Sequence, residues 1–306
     1  LFENQIDTSN QIVNLKDFQI ENYSLCIKRE DEIHPFVSGN KFRKLKYNIS
    51  EALSTNQNQI LTFGGAFSNH IAAVAFAGKY CGIKTIGIIR GEELKNTFEK
   101  NPTLSFAKEN GMELHFVSRE AYRTKEEVTF LEKLKERLGN FYLIPEGGSN
   151  TLAVKGCEEI LTKEDFIFDY ICVSVGTGGT IAGIIKASNL NQKVIGFSAL
   201  KGTFQESEIK KFTSKSNYLL TDDYSFGGYA KIDSELVRFV NEFKKKTNIL
   251  LDPVYTGKMM FGIVDLINKG FFRKNSRILA IHTGGLQGIA GMNLLLKKRN
   301  LPQINN

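Results

Sequence analysis

The stretch Tyr170-Ile171-Cys172-Val173-Ser174-Val175-Gly176-Thr177-Gly178-Gly179-Thr180-Ile181-Ala182-Gly183 runs from an apolar segment through a glycine-dense turn into an amphipathic one. An apolar run without polar alternation predicts a strand covered on both faces. Glycines let a backbone approach an anion closely, a helix N-terminus adds positive potential, and Thr177 and Thr180 add hydroxyl donors. The turn Gly176 to Thr180 is therefore a candidate phosphate cradle, although a tight strand-to-helix connection would also use glycine. No Gly-Lys-Ser/Thr follows at P-loop spacing, and Gly-x-Gly-x-x-Gly fits only loosely, so a single phosphate suits the turn better than a dinucleotide.

Working outward, the same alternation of short apolar run, polar or glycine turn and amphipathic segment recurs along the chain. Strands are predicted at 60–63, 85–89, 113–117, 141–144, 170–175, 193–199 and 277–281. Helices are predicted at 68–80, 103–110, 125–138, 151–161, 180–187 and from about Gln287. Alternating strands and helices specify an α/β fold with parallel sheet and helices on both faces, and the length of 306 residues fits two such open, twisted sheets. In such sheets ligands gather at the carboxyl ends of the strands, which directs the search to the turns.

Composition narrows the class. The chain is 42% hydrophobic and 24% charged with a formal charge of +7, and its basic residues are interleaved with acids. The runs Lys244-Lys245-Lys246 and Lys297-Lys298-Arg299 fall at predicted helix ends, where cations complement the helix dipole, so nucleic acid is not expected as a partner. Cys26, Cys81, Cys157 and Cys172 are widely spaced, which indicates neither a zinc site nor a disulfide framework; no metal is expected and a reducing cytoplasm is. The polar start, Leu1 to Asn10, lacks a secretory pattern, and no apolar run approaches the roughly 20 residues of a membrane span.

Five further turns hold reactive groups. Ser38-Gly39-Asn40-Lys41-Phe42-Arg43-Lys44-Leu45-Lys46-Tyr47 places Lys41 at the mouth of a helix with Arg43, Lys44 and Lys46 beside it. Neighbouring cations or burial would let such an amine lose its proton and form a Schiff base; a solvated basic helix face is the plainer reading of this decapeptide alone. Gly64-Gly65-Ala66-Phe67-Ser68-Asn69-His70 presents a hydroxyl, an amide and an imidazole at another helix start, either as a cap or as an anion-binding corner for a carboxylate. Asp252-Pro253-Val254-Tyr255-Thr256-Gly257-Lys258 precedes a helix, His282-Thr283-Gly284-Gly285 follows the last strand, and Phe226-Gly227-Gly228-Tyr229 lies between the two glycine turns at 176 and 284. Glu146-Gly147-Gly148-Ser149-Asn150 reads as a structural connection.

Taken in order, five of these motifs resemble those of pyridoxal-phosphate enzymes of the tryptophan-synthase-β fold, within them the group of 1-aminocyclopropane-1-carboxylate deaminase and D-cysteine desulfhydrase. They are Ser38 to Leu45, Gly65 to His70, Gly176 to Thr180, Asp252 to Lys258 and His282 to Gly285. The resemblance implies that Lys41 carries pyridoxal phosphate as a Schiff base and later acts as base at the α-carbon. It implies that Lys44 and Gly176, Thr177, Gly178, Gly179 and Thr180 hold the phosphate, and that Asn69 bonds the ring hydroxyl. Ser68, Asn69 and His70 would receive the carboxylate of a small amino-acid substrate, with Tyr229 and Tyr255 flanking the reacting carbon. It also favours a homodimer, and a larger cofactor-binding domain of residues 1–44 and 151–306 closing on a smaller one of 45–150.

In deaminase members an acidic residue follows the tyrosine of the Tyr255 motif and keeps the pyridine nitrogen protonated; here Thr256 stands there, with Thr283 as its companion. A hydroxyl supplies no such charge, so the expectation is β-elimination from D-cysteine to pyruvate, ammonia and hydrogen sulfide, with opening of the cyclopropane ring as the alternative. A nicotinamide-dependent dehydrogenase and a noncatalytic cofactor-binding module are the readings from other classes. Phe67, next to the serine corner, is expected to narrow the pocket.

Overall fold

The computed structural model describes residues 1–2 and 6–305; residues 3–5 and 306, at the ends of the expected larger domain, lie outside them. In chain order the strands are β1 (Asn10–Val13), β2 (Ser24–Lys28), β3 (Gln59–Gly64), β4 (Lys84–Arg90), β5 (Glu113–Val117), β6 (Tyr142–Ile144), β7 (Tyr170–Val175), β8 (Lys193–Ser198), β9 (Tyr218–Thr221) and β10 (Arg277–Ile281). The helices are α1 (Asn40–Ser54), α2 (Asn69–Cys81), α3 (Pro102–Glu109), α4 (Arg119–Arg123), α5 (Val128–Leu138), α6 (Thr151–Glu158), α7 (Gly179–Ala187), α8 (Gln205–Lys210), α9 (Ser234–Thr247), α10 (Thr256–Asn268) and α11 (Gly288–Lys298).

One sheet has six strands in the order β1-β2-β10-β7-β8-β9 and the other four in the order β5-β4-β3-β6. All pairings are parallel, as expected, except that β1 adds to β2 antiparallel at one edge of the larger sheet. Between β1 and β2 the chain makes a 3-10 turn at Leu15–Phe18 and has no crossover helix, which a parallel return would require. The predicted helix at 125–138 is corrected: α4 ends at Arg123 and α5 begins at Val128, after a turn closed by the Glu127 N–H on Thr124 O.

The apolar runs of β7 and β10 feed two cores at once. Cys172, Ile278 and Ala280 join Val237, Val240, Met260 and Ile263 of α9 and α10 on one face. Ile171, Val173, Leu279 and Ile281 join Cys157 of α6 and Ile181, Ile184 and Ile185 of α7 on the other. Successive strand residues point to opposite faces, so both sets must be apolar, and each fully buried side chain contributes about 1.5–3 kcal/mol. The smaller sheet is covered in the same way by α1, α2 and α3 on one side and by α5 with Tyr122 on the other. In α1 the buried positions Phe42, Leu45, Ile49 and Ala52 recur at helical spacing, which aims the remaining side of its first turn at the space between the two sheets.

Candidate active site

The carboxyl ends of β3, β4, β6, β7 and β10 face one cleft of about 890 Å³. Lys41, Lys44, Ser68, Asn69, His70, Gly176, Thr177, Gly178, Thr180, Tyr229, Tyr255 and Thr283 line it, so residues from six turns meet there. Gly179 lies just beneath as the first residue of α7.

Backbone geometry brings Lys41 to the floor. Gly39, with φ +62°, packs so closely on the turn after β10 that a Cβ would sit 2.0 Å from the Thr283 carbonyl oxygen. The Asn40 N–H donates to that oxygen at 3.3 Å, and the Asn40 amide donates to Thr180 Oγ1 at 2.8 Å. Among the described residues Lys41 Nζ has a single weak hydrogen-bond partner, Asn40 Oδ1 at 3.3 Å. Loss of water, and then repulsion from Lys44, lower its pKa to about 7.

The other cations of this turn are corrected from the solvated-face reading. Arg43 is 2% exposed and forks onto Glu30, with Nε to Oε2 and Nη2 to Oε1 both at 2.9 Å. Lys46 reaches Glu159 at 2.7 Å. Lys44, also 2% exposed, has no carboxylate partner among the described residues and donates to Gly147 O at 2.9 Å and Ser149 Oγ at 3.1 Å. Its amine would lie 3.2 Å from a Cβ on Gly179, beside the Thr177 and Ser149 hydroxyls, which are 2.6 Å apart. One buried ammonium, two hydroxyls and the first turn of α7 thus converge on one point, a set of donors of the kind that binds phosphate. The turn at 146–150, read from sequence as a plain connection, supplies half of it. Its signal was the pairing of Gly147-Gly148 with a hydroxyl, the same chemistry as the 176 turn.

At the second corner Ser68 caps α2, accepting from Ile71 N at 3.3 Å, and lines the cleft. Asn69 Oδ1 accepts a hydrogen bond from the Gln287 side chain. His70 is 2% exposed, and its role is corrected. Thr62 Oγ1 donates to Ile144 O at 2.8 Å, so it accepts from His70 Nε2–H at 2.8 Å. That leaves Nδ1 a buried lone pair with no partner among the described residues. Burial together with Lys41 and Lys44 holds the ring neutral, its pKa well below the usual value. A lone pair repels a carboxylate, which leaves the Ser68 hydroxyl and the first-turn N–H groups of α2 as the donors of this corner that could face an anion. Phe67 turns from the cleft toward α11, where a Cβ on Gly291 would meet its ring at 2.6 Å, and does not narrow the pocket.

Thr256 is corrected as well. It is fully buried, and its Oγ1 accepts from Asp252 N at 2.9 Å and donates to Asp252 Oδ1 at 3.1 Å, within the turn that starts α10. The hydroxyls that do face the cleft floor are Thr283 and Ser174, 3.1 Å apart; Ser174 was hidden in an apolar strand. Asp252 turns its carboxylate onto the N–H groups of Val254, Tyr255 and Thr256. Tyr229 and Tyr255 meet edge to face at 6.3 Å across the mouth, near Arg90, which lies over the Tyr122 ring at 5.8 Å. Among the described residues no group of three His, Cys, Asp or Glu side chains is placed to hold a metal ion, and no helix is long and apolar enough to cross a membrane.

A cleft-facing lysine of lowered pKa beside a set of phosphate-type donors, at the carboxyl ends of parallel strands between two sheets, is the arrangement of a pyridoxal-phosphate enzyme of the tryptophan-synthase-β fold. The family comparison agrees over nearly the whole chain: residues 8–284 match the model of the pyridoxal-phosphate dependent enzymes, and the chain belongs to that family. It is 34% identical over 288 residues to a putative 1-aminocyclopropane-1-carboxylate deaminase of Pyrococcus horikoshii, covering 86% of this chain and 84% of that one. It is 34% identical over 292 residues, 87% of this chain and 73% of the other, to the mitochondrial bifunctional D-cysteine desulfhydrase/1-aminocyclopropane-1-carboxylate deaminase of Arabidopsis thaliana. Among solved structures, the ACC deaminase homologue superposes with a TM-score of 0.77 at 31% identity over 92% of this chain and 90% of that one.

Proposed function

We propose that this enzyme is a lyase that releases ammonia from a small amino acid, within the class that joins 1-aminocyclopropane-1-carboxylate deamination to D-cysteine desulfhydration. The observation that carries the proposal is Lys41, a cleft-facing amine with a pKa near 7, set beside the Lys44 and 176–180 cradle. Pyridoxal phosphate, when bound, supplies a carbonyl that condenses with amines and a ring that draws electron density from the α-carbon. Lys44, Ser149, Thr177 and the first turn of α7 would hold its phosphate. Lys41, increasingly neutral above about pH 7, would be the amine that holds the cofactor through its carbonyl carbon and the base that takes the proton from the substrate α-carbon. Ser68 and the N-terminus of α2 orient the substrate carboxylate, and Tyr229 and Tyr255 screen the reacting carbon from water.

The names of the relatives favour ring opening of 1-aminocyclopropane-1-carboxylate to 2-oxobutanoate and ammonia: deaminase appears in all three, desulfhydrase in one. A specific observation supports elimination from D-cysteine as the second reading. The floor offers the neutral hydroxyls of Ser174 and Thr283 while Asp252 faces away, and a neutral floor suits a good leaving group such as hydrosulfide. A cytoplasmic homodimer whose segments 1–44 and 151–306 close on 45–150 completes the proposal.

Borohydride treatment of the yellow protein should fix the label on Lys41, and a colourless protein indifferent to pyridoxal phosphate would refute the assignment. Parallel assays for 2-oxobutanoate from 1-aminocyclopropane-1-carboxylate and for pyruvate from D-cysteine decide between the substrates.

A further inference from the structure

The motif Asp252 to Lys258 contains one charged residue for which the reaction has so far given no use. Lys258 is 1% exposed, on the first turn of α10, three residues after Tyr255. Buried ammonium groups are costly unless their donors are satisfied, and this one is aimed at a single loop: Nζ donates to Ser225 O at 2.7 Å and to Gly228 O at 2.8 Å. The loop needs holding. Phe226, Gly227, Gly228 and Ala230 all have positive φ, at +52°, +88°, +121° and +55°, and two of them are not glycine. Left-handed conformations of this kind persist only where surrounding contacts impose them. Phe226 meets Phe261 edge to face at 5.1 Å, Ala230 packs on the core, the Gly228 N–H closes the turn on Ser225 O at 3.0 Å, and Lys258 is the charged group that holds the turn's carbonyls. The residue in the middle of it is Tyr229.

One helix thus fixes both aromatic walls of the cleft mouth. The first residues of α10 present Tyr255 directly, and the amine one turn on sets the position of Tyr229 against it through the backbone of the loop. We propose that Lys258 is a positioning residue that holds Tyr229 over the reacting carbon by clamping the carbonyls of Ser225 and Gly228. The part of this concerning catalysis rests on the function proposed above; the clamp itself does not.

The test replaces Lys258 by methionine, which keeps the volume and removes the donors. Backbone hydrogen exchange of residues 225–231 in the full chain should rise by at least about tenfold, the least that losing a charged hydrogen bond implies. Loading with pyridoxal phosphate, read by absorbance, should be unchanged. With the favoured substrate, kcat should fall about tenfold or more while KM moves less. In a Tyr229→Ala background the same replacement should lose most of its effect on kcat, because with the ring removed the loop has no wall left to position. Unchanged loop exchange in Lys258→Met, or in the more conservative Lys258→Gln should the methionine variant not fold, overturns the clamp. Faster exchange with effects that multiply in the double variant overturns its link to Tyr229. Faster loop exchange in a protein that turns over neither substrate supports the clamp and refutes only the activity.

Discussion

An amine whose pKa lies near 7 must show it in its reactivity. In the cofactor-free chain, labelling of Lys41 by a small carbonyl or cyanate reagent should rise through pH 6–8 and then level off, because above about 7 the neutral form predominates. A surface lysine goes on rising toward pH 10. Lys44→Met removes the neighbouring positive charge, which relieves the pressure on the proton, so the Lys41 midpoint should move upward. Peptide mapping of the label against pH measures both, and a Lys41 midpoint above 9 in the unaltered chain contradicts the burial argument. At this scale the sequence was only partly legible. It placed Lys41 and Lys44 one helical turn apart, but the partners that distinguish them, Glu30 for Arg43 and Gly147 for Lys44, are supplied by segments far along the chain. The same holds for His70, whose tautomer is set by Thr62 on another element.

Elements whose periodicity is strong were read to the residue. The ranges predicted for 170–175 and 277–281 are those of β7 and β10, because a strand buried on both faces admits almost only apolar residues, and 113–117 is also that of the half-exposed edge strand β5. Edges and first turns were not: β1 pairs antiparallel, and Thr256 spends its hydroxyl inside its own helix start. The most demanding junction is the start of α1, where Gly39 lies against the Thr283 carbonyl. Gly39→Ala should cost at least about 1–3 kcal/mol from the positive φ alone, and more from the clash at 2.0 Å. The displaced helix start should also weaken retention of pyridoxal phosphate. Thermal melting and absorbance after dialysis measure the two effects, and a variant as stable and as yellow as the parent would show that the junction yields without moving Lys41.

At the scale of the whole molecule the cofactor's proposed contacts come from both sheets: the turn after β7 and that at 146–150, the helix after β3, and α1 between them. A ligand bound only by the folded arrangement stabilises it by mass action, about 4 kcal/mol when its free concentration is a thousand times its Kd. Stripping pyridoxal phosphate should therefore lower the melting temperature, and restoring it should raise the temperature in a concentration-dependent way; calorimetry with and without the cofactor measures this, and equal melting temperatures would count against a site built from both sheets. By itself the sequence determined the alternation of strands and helices, the glycine turns after them and the candidate reactive groups, because apolar period and glycine content are local properties. Only the tertiary structure decided which of those groups share a cleft, that Arg43 and Lys44 are buried, that Thr256 and His70 face other partners, and that Lys258 reaches the Tyr229 loop. Burial, charge pairing and hydrogen-bond direction depend on residues brought together from distant parts of the chain, and no local pattern encodes them.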